Sequence, residues 1–154
     1  MENSNVVQGW QALSSAGELD SLMRLFGNLH DACLCEIHLV TGHYVDTDLS
    51  MTVDWKTTVH MLIHRQYTKP SAIELRFEEV IELRLHSPAP NCEAIILDAA
   101  FFLRDGIYYW ADNGDWTPES DRSEPTWVAA RKVYWRDASE WIGPGLRYRA
   151  GLTP

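Results

Sequence analysis

What the chain lacks narrows the field first. It holds only three cysteines, Cys33, Cys35 and Cys92, an odd number, so no disulfide framework carries the fold. Cys33 and Cys35 are alternate residues, which on a strand sit about 6.5 Å apart at Cα. A bridge between them is expected to be strained, and free thiols in a reducing cytoplasm are the simpler expectation. No stretch approaches the ~18 uninterrupted apolar residues of a membrane-spanning helix. Met1 to Gly9 has neither the basic start nor the apolar run of a secretory signal. Together these absences predict a cytoplasmic protein with no membrane partner.

Basic residues are scarce as well. Lys and Arg number 13 against 22 Asp and Glu, a net charge of −9. The imbalance is local: residues 1–120 hold 7 basic and 18 acidic side chains, residues 121–154 hold 6 and 4. An acidic body repels phosphate backbones, which argues against nucleic acid as a partner. It attracts a basic protein at long range, and it also keeps a cytoplasmic protein soluble.

Catalytic and metal motifs are missing too. His30 and Asp31 are neighbours that could serve a general base, but adjacent residues of an extended segment point apart, and no Ser or Cys motif supplies a nucleophile. They are expected at the helix-to-sheet junction, partly buried, bonding backbone. His60 and His64 have ligand spacing only on a helix; on a strand they lie about 13 Å apart. Cys33 and Cys35 with His38 fall short of four ligands. Asp112-Asn113-Gly114-Asp115, with Glu119 and Asp121, resembles a calcium loop in composition alone. No metal or cofactor is expected.

What is present reads as one α+β domain of 154 residues: a helical segment 1–27, a sheet 32–136 and an irregular tail 137–154. Val6, Val7, Trp10 and Leu13 give a first helical stripe. Ser15 to Glu18 fits a capping box. Leu19, Leu22, Met23 and Phe26 follow at 3.6 spacing, and Gly27 stops the helix. The period then changes to two. Cys33, Cys35, Ile37 and Leu39 form one strand face, and Thr41-Gly42-His43 reads as a turn. Val45, Leu49, Met51 and Val53 alternate with polar residues, the pattern of a strand with one dry and one wet face. Val59, Met61 and Ile63 continue, leaving open whether 44–67 is one long bent strand or a hairpin. Residues 73–86 form a further strand with a distortion near Glu78-Glu79. Residues 93–104 form another, and Asp105-Gly106 is a two-residue hairpin turn. That turn pairs Leu103 with Tyr108, Phe102 with Tyr109 and Phe101 with Trp110. Both hairpin faces are apolar, which predicts a central place. Residues 112–126 read as a polar loop, and Trp127 to Arg136 as the last strand. The predicted whole is N-terminal helices packed on an antiparallel sheet of about six strands.

Two surfaces stand out for partners. Tyr44, Asp46, Asp48, Ser50, Thr52 and Asp54 share one parity, making an acidic ridge with an aromatic anchor. Their neighbours Val45, Leu49, Met51 and Val53 are expected in the core. A charged edge strand that blocks unwanted pairing gives the same pattern. Of 17 aromatic residues, 11 fall in residues 101–154; Trp116 and Trp141, in loop and tail, are expected to be exposed and available to a partner.

The segment Phe26-Gly27-x-x-His30-Asp31-Ala32, followed by Leu49-x-Met51-x-Val53 and Ile73-x-Leu75-x-Phe77-x-x-Val80, resembles a group of small bacterial proteins. These share a Phe-(Gly)-x-x-His-Asp-Ala/Ser segment leading into an antiparallel sheet. Most have no assigned function, and some are similar to immunity proteins that neutralise toxins of polymorphic toxin systems. The resemblance covers roughly residues 20–110; the Trp-rich tail departs from it. It implies Gly27, His30 and Asp31 as structural motif residues, no catalytic residues to carry over, and a non-enzymatic inhibitor with a toxin as partner; that the partner is basic is expected from the acidic charge. The competing reading is a small-ligand binder or hydrolase-like enzyme using His30, Asp31 and the aromatic end of the sheet.

Overall fold

The computed structural model describes residues 9–88, 94–120 and 125–150. Val6, Val7, Cys92 and Asp121 lie outside them. In chain order the strands are β1 (Gln11–Leu13), β2 (Ala32–Thr41), β3 (Tyr44–Val45), β4 (Met51–Thr52), β5 (Thr57–Arg65), β6 (Ala72–Arg84), β7 (Ala100–Arg104), β8 (Ile107–Ala111) and β9 (Trp127–Asp137). The helices are α1 (Ala16–Leu25) and the short α2 (Arg147–Ala150), with 3₁₀ turns at Gly27–Leu29 and Ser139–Trp141.

Seven strands form one antiparallel sheet in the order β2-β5-β6-β9-β8-β7, with β1 paired to β9 beside that path. Strand β9 is shared. One edge bonds β6 from Ile73↔Asp137 to Arg84↔Trp127. The other bonds β8 over Trp127 to Ala130 and β1 over Val133 to Trp135. That split corrects the helical reading at residues 11–13, while Ala16–Leu25 is helical as expected. Trp10 and Leu13 have helical spacing, but Gln11–Leu13 is a strand because β9 runs on past β8 and leaves an edge that only β1 fills.

Among the described residues one N-terminal helix of ten residues, α1, covers one face of the sheet, rather than several. Ser15 Oγ accepts from the Glu18 N–H, and the Glu18 carboxylate returns to the Ser14 N–H at 2.6 Å, so the capping box closes one residue upstream of its usual partner. Leu19, Leu22, Met23 and Phe26 press onto Val59, Met61, Ile63, Leu75, Phe77 and Val133 in a single core. At roughly 25 cal/mol per Å² of apolar surface, each such side chain adds about 1.5–3 kcal/mol.

Strand β6 carries the expected distortion. Glu79 adopts φ 54°, and the register shifts between Val80 and Glu82. Val80 thereby turns onto the core while Ile81 is left exposed. The β7–β8 hairpin has the expected register, with Asp105 and Gly106 at φ 52° and 78°. It lies at the end of the sheet rather than its centre. Its second face is dry because Trp116, from the following loop, folds over it. The strand expected over 93–104 is shorter: among the described residues before Ala100 there is only a lone bridge, Ile96 to Ala32.

Candidate functional site

Residues 44–54 belong neither to a long bent strand nor to the main sheet. Strands β3 and β4 pair only with each other and form a two-stranded arm between β2 and β5. The turn at its tip is built locally. The Leu49 N–H reaches the Asp46 carbonyl, the Asp46 carboxylate accepts from the Thr47 N–H at 2.7 Å, and the Asp48 carboxylate accepts from the Ser50 N–H at 2.9 Å. The hydrogen bonds from Ser50 hold the Asp48 carboxyl below its ordinary pKa. At the base, the Gly42 N–H donates to the Lys56 carbonyl, the Asp54 N–H donates to His43 Nδ1, and the Lys56 N–H donates to Asp54. A Cβ on Gly42 would lie 2.5 Å from the Asp54 Cβ, so the residue is required by close approach.

This geometry overturns the core assignment made from alternation. Leu49 is 83% exposed, Met51 71% and Trp55 87%, and Tyr44, Val45 and Val53 are each more than half exposed. The alternation is real, but a two-stranded ribbon has no second layer to bury its apolar face. With Leu39 and Val40 at the neighbouring end of β2, also exposed, these side chains concentrate apolar surface on one projection. The expected single strand of acidic residues is divided between β3, the tip turn and β4, and Asp46, Asp48 and Asp54 staple the arm's own backbone.

His30 and Asp31 are exposed, not partly buried. His30 Nδ1 donates to the Leu97 carbonyl at 2.6 Å, the expected backbone bond. The two side chains do not point apart: His30 Nε2 lies 3.5 Å from Asp31 Oδ2. The cause is the backbone. Gly27, Asn28, Leu29 and Asp31 all have φ between 55° and 60°, so the segment is coiled rather than extended. Both side chains line a cleft of about 460 Å³ with Arg24, Arg65, Tyr67 and Lys69. The aromatic end of the sheet is not part of it.

Trp116 is 4% exposed, stacked on Trp127 at 4.8 Å, which removes it as a partner residue. Trp141 is half-buried and packs on the Arg136 guanidinium.

Sequence reasoning missed a polar layer on the face of the sheet opposite α1. Glu74, on β6, is 2% exposed and is bound by Arg136 Nε at 2.7 Å, the Tyr148 hydroxyl at 2.9 Å and His60 Nδ1 at 3.0 Å. Burial alone raises its pKa. The His60 hydrogen bond, the Arg136 charge and the Tyr148 hydroxyl outweigh that and hold it below the ordinary glutamate range. Arg136 is sandwiched between Trp10 and Trp141, and Arg76 between Trp10 and Tyr134. Glu36 accepts the N–H groups of Arg147 and Tyr148, which docks α2. The available signal was the other parity of β6 and β9, where Glu74 and Arg76 alternate with Ile73, Leu75 and Phe77, and Tyr134 and Arg136 with Val133 and Trp135.

Among the described residues no group of three or more His, Cys, Asp or Glu side chains could hold a metal ion, and no helix is long and apolar enough to cross a membrane. No family model, no curated protein and no solved structure matches the chain.

Proposed function

We propose that the protein is a non-enzymatic protein-binding module whose 44–54 arm, with Leu39, Val40 and Trp55 beside it, docks into a basic protein partner, its sharpest form being an immunity-type inhibitor of a bacterial toxin. The observation that carries the reading is the exposure of Leu49 and Met51 on the β3–β4 ribbon, whose strands pair only with each other among the described residues, and of Trp55 at its base. Contiguous exposed apolar surface of this kind marks interaction sites, and Tyr and Trp are the side chains interfaces favour. The partner's charge follows from the rim. Asp46, Asp48 and Asp54 flank the apolar patch, and the chain as a whole carries −9. A second copy would bring the same charge and be repelled, whereas a basic surface is drawn in. The Phe26 to Ala32 segment, similar to that of the immunity-like group, supports the toxin-directed form.

The test is co-expression with the product of the adjacent gene, followed by size exclusion and titration calorimetry. Met51→Ala with Trp55→Ala is expected to weaken the complex at least tenfold without altering the thermal midpoint, and rising salt is expected to weaken the wild-type complex. Equal affinity of the double variant would remove the arm from the interface. Concentration-dependent dimers that Trp55→Ala abolishes would replace the basic partner with a second copy. Reversing Asp46 and Asp48 to lysine is a poorer test, because both carboxylates hold the turn.

A further inference from the structure

The cleft beside His30 has a different character from the arm. It forms where the end of α1, the start of β2 and the β5–β6 connection converge. Its central group is Arg65, the last residue of β5. Its Nε donates to the Pro70 carbonyl at 2.7 Å, and its guanidinium lies 4.4 Å over the Phe26 ring and 5.1 Å from the Tyr67 ring centre. Three contacts thus fix the fork. Gly27 lets it approach, since a Cβ there would stand 3.3 Å from Nη1. Among the described residues no acceptor meets Nη1 or Nη2, and partial burial pulls the guanidinium pKa below its ordinary value.

Arg24 and Lys69 line the same cleft and are exposed, and the one acid in its wall, Asp31, faces His30 Nε2. Three permanent cations therefore surround one small space on a chain whose net charge is −9. The C-terminus of α1 contributes about half a negative charge nearby, which answers only part of them. A carboxylate would need one guanidinium fork. A phosphate, with three oxygens and close to two charges, uses a fork and two further cations. The volume of about 460 Å³ is within the ~300–1,000 Å³ range of small-molecule sites and larger than the anion alone. Tyr67, 70% exposed, offers a ring beside it.

We infer that this cleft binds the phosphate group of a small phosphate monoester, gripped by Arg65 with Arg24 and Lys69, with Tyr67 flanking the ester's body.

The experiment is a ¹⁵N NMR titration at constant ionic strength with phenyl phosphate, inorganic phosphate, phenylacetate and sodium chloride. Phenyl phosphate is expected to shift Gly27, His30, Tyr67 and Lys69 and the Arg65 Nε–H with saturation, inorganic phosphate more weakly, phenylacetate least. Arg65→Lys keeps the charge and loses the fork, and is expected to weaken phenyl phosphate at least tenfold. Should that variant fold poorly, Arg24→Gln with Lys69→Gln removes two exposed cations and is expected to cost fivefold or more at an unchanged thermal midpoint. Shifts of equal size with chloride, stronger binding of phenylacetate than of phenyl phosphate, or wild-type affinity in the double variant would each overturn the assignment.

Discussion

Replacing Glu74 with Gln tests whether the buried carboxylate organises the back of the sheet. Glu74 is 2% exposed and accepts from Arg136, Tyr148 and His60 at 2.7–3.0 Å. A neutral amide keeps the shape but removes the charge, and its NH₂ must face one of three donors. Breaking a buried ionic network by removing one member costs about 3–5 kcal/mol. Arg136 and His60 are 22% and 25% exposed and can recover some hydration, so the lower end applies, about 3 kcal/mol. For a chain of this length that is a fall of roughly 6–12 °C in Tm. Urea unfolding followed by Trp fluorescence measures it. Because the native carboxyl is held below its ordinary pKa, its contribution is complete above the unfolded glutamate range and is lost as pH falls through the native value. The gap between wild type and Glu74→Gln should therefore narrow as the pH falls below the unfolded glutamate range. A cost under about 0.5 kcal/mol, or a gap independent of pH, would refute the reasoning.

Two further outcomes are expected. Gly42→Ala places a methyl 2.5 Å from the Asp54 Cβ, so amide shifts and faster hydrogen exchange should be confined to residues 42–56 while the main sheet keeps its protection; an unperturbed spectrum would contradict the packing at the arm's base. Trp116→Ala opens the second apolar cluster and uncovers Trp127, at a cost of about 3 kcal/mol by chemical denaturation, and a loss below about 1 kcal/mol would mean that the loop closes over the gap.

Local chemistry made part of this structure readable. Asp105-Gly106 sets its own backbone sign, so the β7–β8 register followed from two residues. Val59, Met61 and Ile63 alternate and are fully buried. What escaped was decided by distant segments. Gln11–Leu13 became a strand because β9 offered an edge more than a hundred residues away. Leu49, Met51 and Val53 carry the same alternation as a buried strand, and period cannot report whether anything lies opposite. Trp116 sits in polar sequence, yet its place is set by Trp127. At the two candidate sites, the ridge of Tyr44, Asp46, Asp48 and Asp54 was visible as parity, whereas the apolar surface beside it was not. The meeting of His30 with Asp31 depended on left-handed residues for which only Gly27 gave a signal.

The sharing of β9 between β6 on one side and β8 and β1 on the other has a consequence for biosynthesis. Of the described strands, the one that joins every part of the sheet is the last to leave the ribosome. Until Trp127 to Asp137 emerge, β2, β5 and β6 can zip together but leave the long edge of β6 open, and the β7–β8 hairpin has nothing to dock on. From Arg84 to Asp137 the nascent chain waits roughly 3–10 s at ordinary synthesis rates. Throughout that interval it presents an unpaired strand, the state in which chaperones bind and chains cross-associate. Refolding from denaturant, where β9 is available from the start, is therefore expected to give a higher yield than synthesis stalled before Trp127.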